Sequence, residues 1–368
     1  MDWKEILKEK YKNFCTPIRI NKDEEYQREL FHKFELLIDI LKNDESNIVT
    51  EVQNFVEKIS DTIRLYYSGY TSDAQKMVDE MVDEVCSNSE FAISNIDNSI
   101  SFGGGPNNEG MPRVNFFRAR CNDRITDYNH KEMLHIPFNQ RSKVGSARFS
   151  IPGLPCLYLG NTSYVCWLEL GKPAEHQFNV SPVLLDNSQQ IFNLTINIYT
   201  ILDYIEVEGC NEEHYLELLK LLILGMATSF KVEEKNRTFK SEYMISQMIM
   251  LSCMKKGISG IAYYSKQVDN DLFARNVAVN LALFAKYEGE DELSKICNHL
   301  EIADSFNYSM YKQLLPPQKY RRARLRVDDA YGIKNIGNFA RQYPYRETVF
   351  YEFDQYLWAE LKLKKVII

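Results

Sequence analysis

The first hundred residues have the apolar spacing of amphipathic helices. Hydrophobic side chains recur at steps of three and four in QRELFHKFELLIDILKND and VTEVQNFVEKISDTIRLYY, with charged side chains between them. The run TSDAQKMVDEMVDEV continues this pattern, and Thr71 and Ser72 are suitable N-caps for it. We therefore predict an all-helical N-terminal domain over residues 1–100.

The pattern ends at a stretch rich in Gly, Asn, Pro and Ser, NSISFGGGPNNEGMPR (98–113), which is typical of a linker or mobile loop. No Lys-Ser or Lys-Thr follows its glycines, so it is not a P-loop, and no GxGxxG occurs in the chain. These absences argue against a dinucleotide-binding Rossmann unit. We place a second domain at 101–368.

Short strand-like and helical runs alternate in this second domain. The strand-like runs are RVNFFRAR, PCLYLG, SPVLLD, ISGIAYYS and NVAVNLALF. The helical runs are SYVCWLEL, with Thr162 or Ser163 as its cap, NEEHYLELLKLLILGMATSF, SEYMISQMIMLSCMKKG and ETVFYEFDQYLWAELKLKK. Because no regular βαβ repeat is present, the pattern predicts an α+β fold.

Composition is that of a globular protein large enough for two domains, since the 368 residues are 45% hydrophobic and 26% charged. No apolar run reaches the about 18 to 20 residues of a membrane span, and the charged start lacks a signal-peptide core. The eight cysteines are scattered singly, which is typical of buried thiols in a reducing compartment. We expect a cytoplasmic protein without a membrane partner.

Charge is distributed unevenly along the chain. The net charge is −7, but residues 1–100 hold 12 basic and 21 acidic side chains. Residues 113–148 hold eight Lys or Arg against three acids. This local positive excess suits an anionic ligand such as a phosphate, although a solvated basic face would have the same composition.

Two arginines and a tyrosine in this region could bind a charged ligand. Arg118 and Arg120 lie two apart on a predicted strand and so share a face, where two guanidinium groups could grip phosphates. Arg148 lies in a turn-prone context, and Tyr158 follows on the next strand, where its ring could stack on a flat heterocycle. The alternatives are paired surface arginines and a core tyrosine.

A carboxylate and a hydroxyl complete the set. Glu169 lies among Cys166, Trp167 and Leu168 and could face solvent, pair with Arg118 or meet a ligand in a cleft. Ser265 ends a strand, where it could touch a ligand or only make a turn. The dispersed histidines and the lack of HExxH predict no metal site.

These residues together resemble the RES domain, a toxin family named for its Arg, Glu and Ser. The matching runs are FFRAR, RFSIPGLPCLYLG, the helix carrying Glu169, and GIAYYS before the Asn-containing strand NVAVNLALF, within residues 113–285. By position, Arg118, Glu169 and Ser265 correspond to the family's three residues, and Arg148 and Tyr158 to further pocket residues. Arg120 is a second candidate for the family's arginine.

The resemblance implies an ADP-ribosyltransferase-like fold that consumes NAD as a substrate, with no cofactor. Members break the bond between nicotinamide and ribose by hydrolysis or phosphorolysis, or transfer ADP-ribose to a protein. An uncontrolled activity of this kind would kill its host. We therefore expect restraint by an antitoxin-like partner or by the N-terminal helices, which could also form a homo-oligomer.

Two other hypotheses use different residues or none. An RNA-binding or RNase function would use the basic run QKYRRARLR (318–326), but the acidic total charge disfavours nucleic acid. The step from Arg124 to His130 is one residue too long for the RxxxxH spacing of helical RNases. An inert scaffold with a degenerate pocket would be indifferent to substitution of Glu169.

Overall fold

The computed structural model describes most of the chain, and its elements form two compact units. The described residues are 2–42, 47–87, 89–96, 113–206, 211–268, 278–289, 292–315, 345 and 348–368. The first unit comprises 1–94, 147–150 and 192–258, and the second comprises 95–146, 151–191 and 259–368. The mixture of helices and strands confirms the predicted α+β class. The glycine-rich run as far as residue 112 and the basic run 318–326 lie outside the described residues.

The first unit combines N-terminal helices with a later segment of the chain. Its described elements are α1 (Trp3–Lys10), α2 (Glu25–Leu41), α3 (Ile48–Tyr67), α4 (Thr71–Cys86), α6 (Ile198–Ile205), α7 (Glu212–Thr228), α8 (Ser241–Lys255), β1 (Ile18–Ile20) and β7 (Phe230–Val232). The strands β1 and β7 pair in parallel, with Ile18 opposite Phe230, so this unit is not all-helical. Tyr70 is the N-cap of α4, and Thr71 is already its first residue, so the predicted caps are wrong.

Residues 192–258 differ from the predicted domain division, which places them in the domain that begins at 101. Most side chains of α7 are buried, and the N-terminal helices α2, α3 and α4 pack against it together with α6 and α8. Tyr26 Oη donates to the Ala227 carbonyl at 2.8 Å, and Lys220 Nζ pairs with Glu84 Oε1 at 2.5 Å. These apolar and ionic contacts explain why the later segment groups with the first.

The second unit is built on an antiparallel sheet whose strands differ in length. Its described elements are β3 (Arg113–Cys121), β4 (Cys156–Gly160), α5 (Ser163–Glu169), β5 (Phe178–Asp186), β8 (Gly260–Tyr264), β9 (Val279–Phe284), β10 (Leu300–Ile302), β11 (Phe306–Asn307), α9 (Tyr308–Leu314), α10 (Val349–Glu360) and β12 (Lys364–Lys365). The strand order is β12-β10-β5-β3-β4-β9-β8, and β11 also pairs with β5. The five predicted strands of this unit and the predicted helices α5 and α10 are confirmed. Two short strands, β2 (Ile93–Asn95) and β6 (Gln190–Leu194), lie where the chain passes between units.

Four short 3-10 turns complete the described secondary structure, at Tyr11–Phe14, Phe138–Lys143, Glu175–Gln177 and Lys295–His299. Of the helices in the described ranges, none combines the length and the apolarity that crossing a bilayer requires.

The sheet of the second unit buries an apolar cluster on each face. Phe116 belongs to one cluster, with Leu134 and Leu281, whereas Phe117 belongs to the other, with Tyr164 and aromatic residues of α10. Successive strand residues point to opposite faces, so adjacent phenylalanines anchor different layers. The helix α5 lies on the Phe117 side.

A buried carboxyl group links α10 to the start of α5. The Ser163 N–H donates to Asp354 Oδ1 at 3.1 Å, and Tyr345 Oη donates to Asp354 Oδ2 at 2.6 Å. Asp354 is 3% exposed. Its burial raises the pKa of Asp354 to about 7, although the hydrogen bonds from Ser163 and Tyr345 act in the opposite direction.

We predict that stability falls as pH rises between about 4 and 7. In this interval the folded chain keeps a proton on Asp354 that the unfolded chain has released. The stabilisation from this proton is therefore complete only below the pKa of Asp354 in the unfolded chain. The loss totals roughly 4 kcal/mol, since the two pKa values lie about three units apart and each unit is worth ~1.36 kcal/mol. Urea unfolding at several pH values should show a shallower pH dependence for Asp354→Asn. Glu360→Gln, at an exposed position of the same helix, should keep the wild-type dependence, and equal slopes in all three proteins would contradict the assignment.

We also predict that deleting residues 1–96 prevents folding of the remaining first unit. The deletion exposes the apolar surfaces of α7 and α8, which the N-terminal helices cover. The truncated chain should be insoluble or rapidly cut by trypsin within 192–258. A soluble, protease-resistant product would contradict this dependence.

Candidate active site

The short helix α5 carries Glu169 at its last residue, and local interactions fix both of its ends. The Thr162 hydroxyl accepts a hydrogen bond from the Val165 N–H at 3.1 Å, which confirms Thr162 as one of the two predicted caps. At the other end, Gly171 has φ +78°, and its N–H donates to the Leu168 carbonyl at 3.0 Å. The helix therefore stops directly after Glu169.

The strand before α5 needs a glycine for this helix to approach. A Cβ built at Gly160 would lie 2.5 Å from Val165 Cγ1 and 2.8 Å from Cys166 Sγ. Both atoms belong to the first turn of α5. The missing side chain at position 160 therefore allows the helix to lie directly against β4.

The Glu169 carboxylate is held by two neutral donors. Ser265 Oγ donates to Glu169 Oε1 at 2.6 Å, and Asn280 Nδ2 donates to the same oxygen at 2.7 Å. Glu169 is exposed as a residue, whereas Ser265 and Asn280 are 1% and 4% exposed. Among the described residues, no hydrogen bond reaches the second carboxylate oxygen, Oε2. The arrangement fixes one oxygen and leaves the other to a ligand.

Backbone pairing holds both donors in place. The Ser265 N–H donates to the Ala278 carbonyl at 2.8 Å, and the Ser265 hydroxyl accepts from the Gln267 N–H at 3.1 Å. Asn280 lies opposite Gly160 on β4 and opposite Tyr263 on β8. The carboxylate at the end of α5 is thus bound to β9 and to the residue after β8 through two side chains.

Arg118 lies where β3 and β4 diverge. The strands β3 and β5 pair along nine residues of each, whereas β3 and β4 share a single described register pair, Phe117 opposite Gly160. Arg118 Nη1 donates to the Tyr158 carbonyl and its Nε to the Met133 carbonyl, both at 3.1 Å. Its guanidinium group therefore links β3 to β4 and to the segment that carries Met133.

Arg120, two residues further along β3, also donates to a backbone carbonyl. Its Nη2 donates to the Leu134 carbonyl at 2.9 Å. Burial lowers the pKa of Arg118 to about 10, with the charge of Arg120 acting in the same direction, and burial also lowers the pKa of Arg120. Within the described residues neither guanidinium forms an ion pair with a carboxylate, so two positive charges lie together without a direct acidic partner.

The side chains of Arg118 and Arg120 lie on the face of the sheet opposite the Asn280 side chain. Directly opposed residues of an antiparallel ladder share a face, so Phe117, Gly160 and Asn280 lie on one side and Arg118 on the other. The structure therefore does not pair Arg118 with Glu169, an alternative that the sequence left open.

The remaining two predicted residues are placed as follows. Tyr158 lies in β4, opposite Ala282, with its side chain half-buried on the same face as Gly160. Arg148 is 7% exposed and belongs to the segment 147–150, which groups with the first unit. In that unit Gln247 Nε2 donates to the carbonyls of Ala147 and Ser150 at 2.9 and 3.1 Å. The roles of Tyr158 and Arg148 in binding a ligand stay predictions.

Asn280 contacts Glu169, but the sequence analysis gave it no role, although its strand is one of the matching runs. An asparagine in the middle of an apolar strand, NVAVNLALF, is unusual, because a buried carboxamide needs a partner. That signal was visible in the sequence. Its partner could not be identified there, because Glu169 lies 111 positions away.

Comparison with known proteins gives one match in sequence. The chain is 30% identical over 259 residues to a protein of Bacillus subtilis (strain 168) named "Putative toxin YopC". The match covers 67% of this chain and 54% of that protein, so the chain spans about half the length of this relative. No protein-family model matches the chain.

A weaker likeness exists to a solved structure, the MbcT–MbcA toxin–antitoxin complex of M. tuberculosis. It covers 64% of this chain and 96% of that chain, at 10% identity and a TM-score of 0.30. A likeness at this level carries no argument about the fold or the activity of this chain.

We predict that Gly160→Ala destabilises the second unit by about 1 to 3 kcal/mol. The new methyl group would collide with Val165 and Cys166 and would force α5 away from β4. Urea unfolding measures the change. Gly145→Ala is the matched control, because a Cβ there meets nothing within 4 Å, and equal effects of the two substitutions would contradict the close packing of α5.

Proposed function

We propose that this protein is a toxin that cleaves the nicotinamide–ribose bond of NAD. The observation that carries the proposal is the 2.6 Å hydrogen bond between Ser265 Oγ and Glu169 Oε1. These two side chains are 96 positions apart and are the ones that the RES resemblance selects as its Glu and Ser. Chance pairing of two preselected residues in a chain of this length is rare.

The geometry suits the chemistry of this cleavage. Nicotinamide leaves as a neutral molecule, so positive charge develops on the ribose as an oxocarbenium ion. A carboxylate beside the sugar stabilises that charge and can hold a ribose hydroxyl. Glu169 is suited to this role because Oε1 is fixed by Ser265 and Asn280, which leaves Oε2 to meet the sugar.

The two arginines of β3 suit the pyrophosphate. Arg118 and Arg120 provide two partly buried positive charges that no described carboxylate neutralises directly, and a dinucleotide would supply the missing anion. Each guanidinium has five N–H groups, and the carbonyl contacts use two in Arg118 and one in Arg120. We assign Tyr158 to the pyridinium ring and Arg148 to the phosphates on the resemblance alone.

The toxin assignment draws on the resemblance and on the name of the Bacillus subtilis relative. A protein that depletes NAD in the cytoplasm that houses it must be restrained until needed. We propose an antitoxin-like partner or the first structural unit as the source of that restraint. NAD is the substrate here and no resident cofactor is assigned.

We predict that the purified protein releases nicotinamide from NAD and that Glu169→Gln lowers the rate about a hundred-fold or more. The substitution keeps the shape of the side chain but removes the charge that stabilises the oxocarbenium ion. Ser265→Ala should cost less, about ten-fold, because Asn280 still donates to Glu169. The measurement is nicotinamide release, followed by chromatography.

Glu360→Gln is the matched control, since it removes a surface carboxylate from the same unit and should leave the rate unchanged. The assay is run with and without inorganic phosphate, and with labelled NAD and a cell extract as acceptor, to distinguish hydrolysis, phosphorolysis and ADP-ribosylation of protein. No nicotinamide release under any of these conditions would contradict the proposal. Degradation of RNA in its place would favour the nuclease hypothesis.

A further inference from the structure

Oε1 of Glu169 accepts hydrogen bonds from Ser265, to which the resemblance assigns a role, and from Asn280, which lies in a matching strand but has no assigned role. The Asn280 contact, at 2.7 Å, is as short as the Ser265 contact at 2.6 Å. An ionised carboxylate only accepts hydrogen bonds, so the NH₂ end of the Asn280 amide must face it. Two donors on one oxygen restrict the side chain of Glu169 more than either donor alone.

Of the two donors, Asn280 is held by the more rigid part of the chain. It lies inside β9, with paired strands on both sides, opposite Gly160 and Tyr263. Ser265 lies one residue beyond the end of β8, where its hydroxyl also accepts from the Gln267 N–H. Because a paired strand moves less than a strand end, the carboxamide is the firmer reference point for the carboxylate.

We infer that Asn280 is a positioning residue, which turns Oε2 of Glu169 toward the reacting sugar by binding Oε1. This inference rests on the proposed NAD cleavage. Without the Asn280 donor the exposed end of α5 would let the Glu169 side chain adopt other rotamers, which lowers the fraction of molecules with the carboxylate in place. The effect should fall on kcat and not on KM, because Asn280 holds the carboxylate and not the dinucleotide.

The test compares the full-length wild type, Asn280→Ala and Asn280→Asp in NAD cleavage. We expect Asn280→Ala to lower kcat about ten- to a hundred-fold with KM changed less than about three-fold. Asn307→Ala is the matched control: Asn307 is a buried strand asparagine of the same unit, whose Nδ2 donates to the His176 carbonyl at 2.9 Å. It should lower the melting temperature and leave kcat unchanged.

Asn280→Asp provides a readout that a purely structural role would not give. The introduced carboxyl group can still donate to Glu169 when it is protonated, whereas its ionised form repels Glu169. Two carboxyl groups at this distance share a proton. Activity of Asn280→Asp should therefore persist at low pH and fall as pH rises. This fall would give its pH–rate profile a descending limb that the wild-type profile lacks. An unchanged kcat in Asn280→Ala, or a pH profile of Asn280→Asp that matches the wild type, would overturn the inference.

Crystal structures of the wild type and Asn280→Ala separate this inference from the proposed function. If the wild type does not consume NAD, the proposed function fails, and the catalytic part of the inference fails with it. The structures then still decide whether Asn280 orients Glu169. We expect the Glu169 carboxylate to leave Ser265 or to occupy several rotamers in Asn280→Ala, and a carboxylate that stays in place would overturn the positioning role.

Discussion

The register of β9 between β4 and β8 decides where the groups of the candidate site lie. With Asn280 opposite both Gly160 and Tyr263, its carboxamide is on the face that α5 covers. A slip of one residue would move Asn280 to the opposite face, among the leucines of the other apolar cluster. Burial of Leu281 and Leu283 on that face fixes the register, because a slip would exchange these side chains for a polar amide. Core packing and site geometry are therefore set by the same pairing.

The other side of the site depends on how closely α5 approaches the sheet. Gly160 permits the contact, Thr162 caps the first turn, and Asp354 of α10 accepts from the Ser163 N–H. Each interaction is local and modest. Together they leave the seven-residue helix little freedom, although a helix this short has no stability of its own. The last residue of α5 therefore reaches the strands that carry Ser265 and Asn280 in a defined position.

Much of this arrangement could be predicted from the sequence, because local patterns determine it. The strand around Arg118, the capped helix ending at Glu169 and the strand before Ser265 all follow from periodicity and turn residues. The grouping of 192–258 with the N-terminal helices could not, because an apolar helix does not reveal which surface covers it. The face on which the arginines leave the sheet depends on strand register, which a single sequence does not fix.

The separation of charges is the feature with the clearest chemical consequence. Had Arg118 bound Glu169 directly, the pair would neutralise itself, and neither group would be available to a charged ligand without first breaking an ion pair. Instead the carboxylate is held by a hydroxyl and a carboxamide, and the guanidinium groups are held by backbone carbonyls. Neutral partners fix the positions of these side chains without cancelling their charges. A dinucleotide whose sugar becomes cationic and whose phosphates are anionic needs both charges at separate points, and preorganised, uncancelled charges are what lower the barrier of such a reaction.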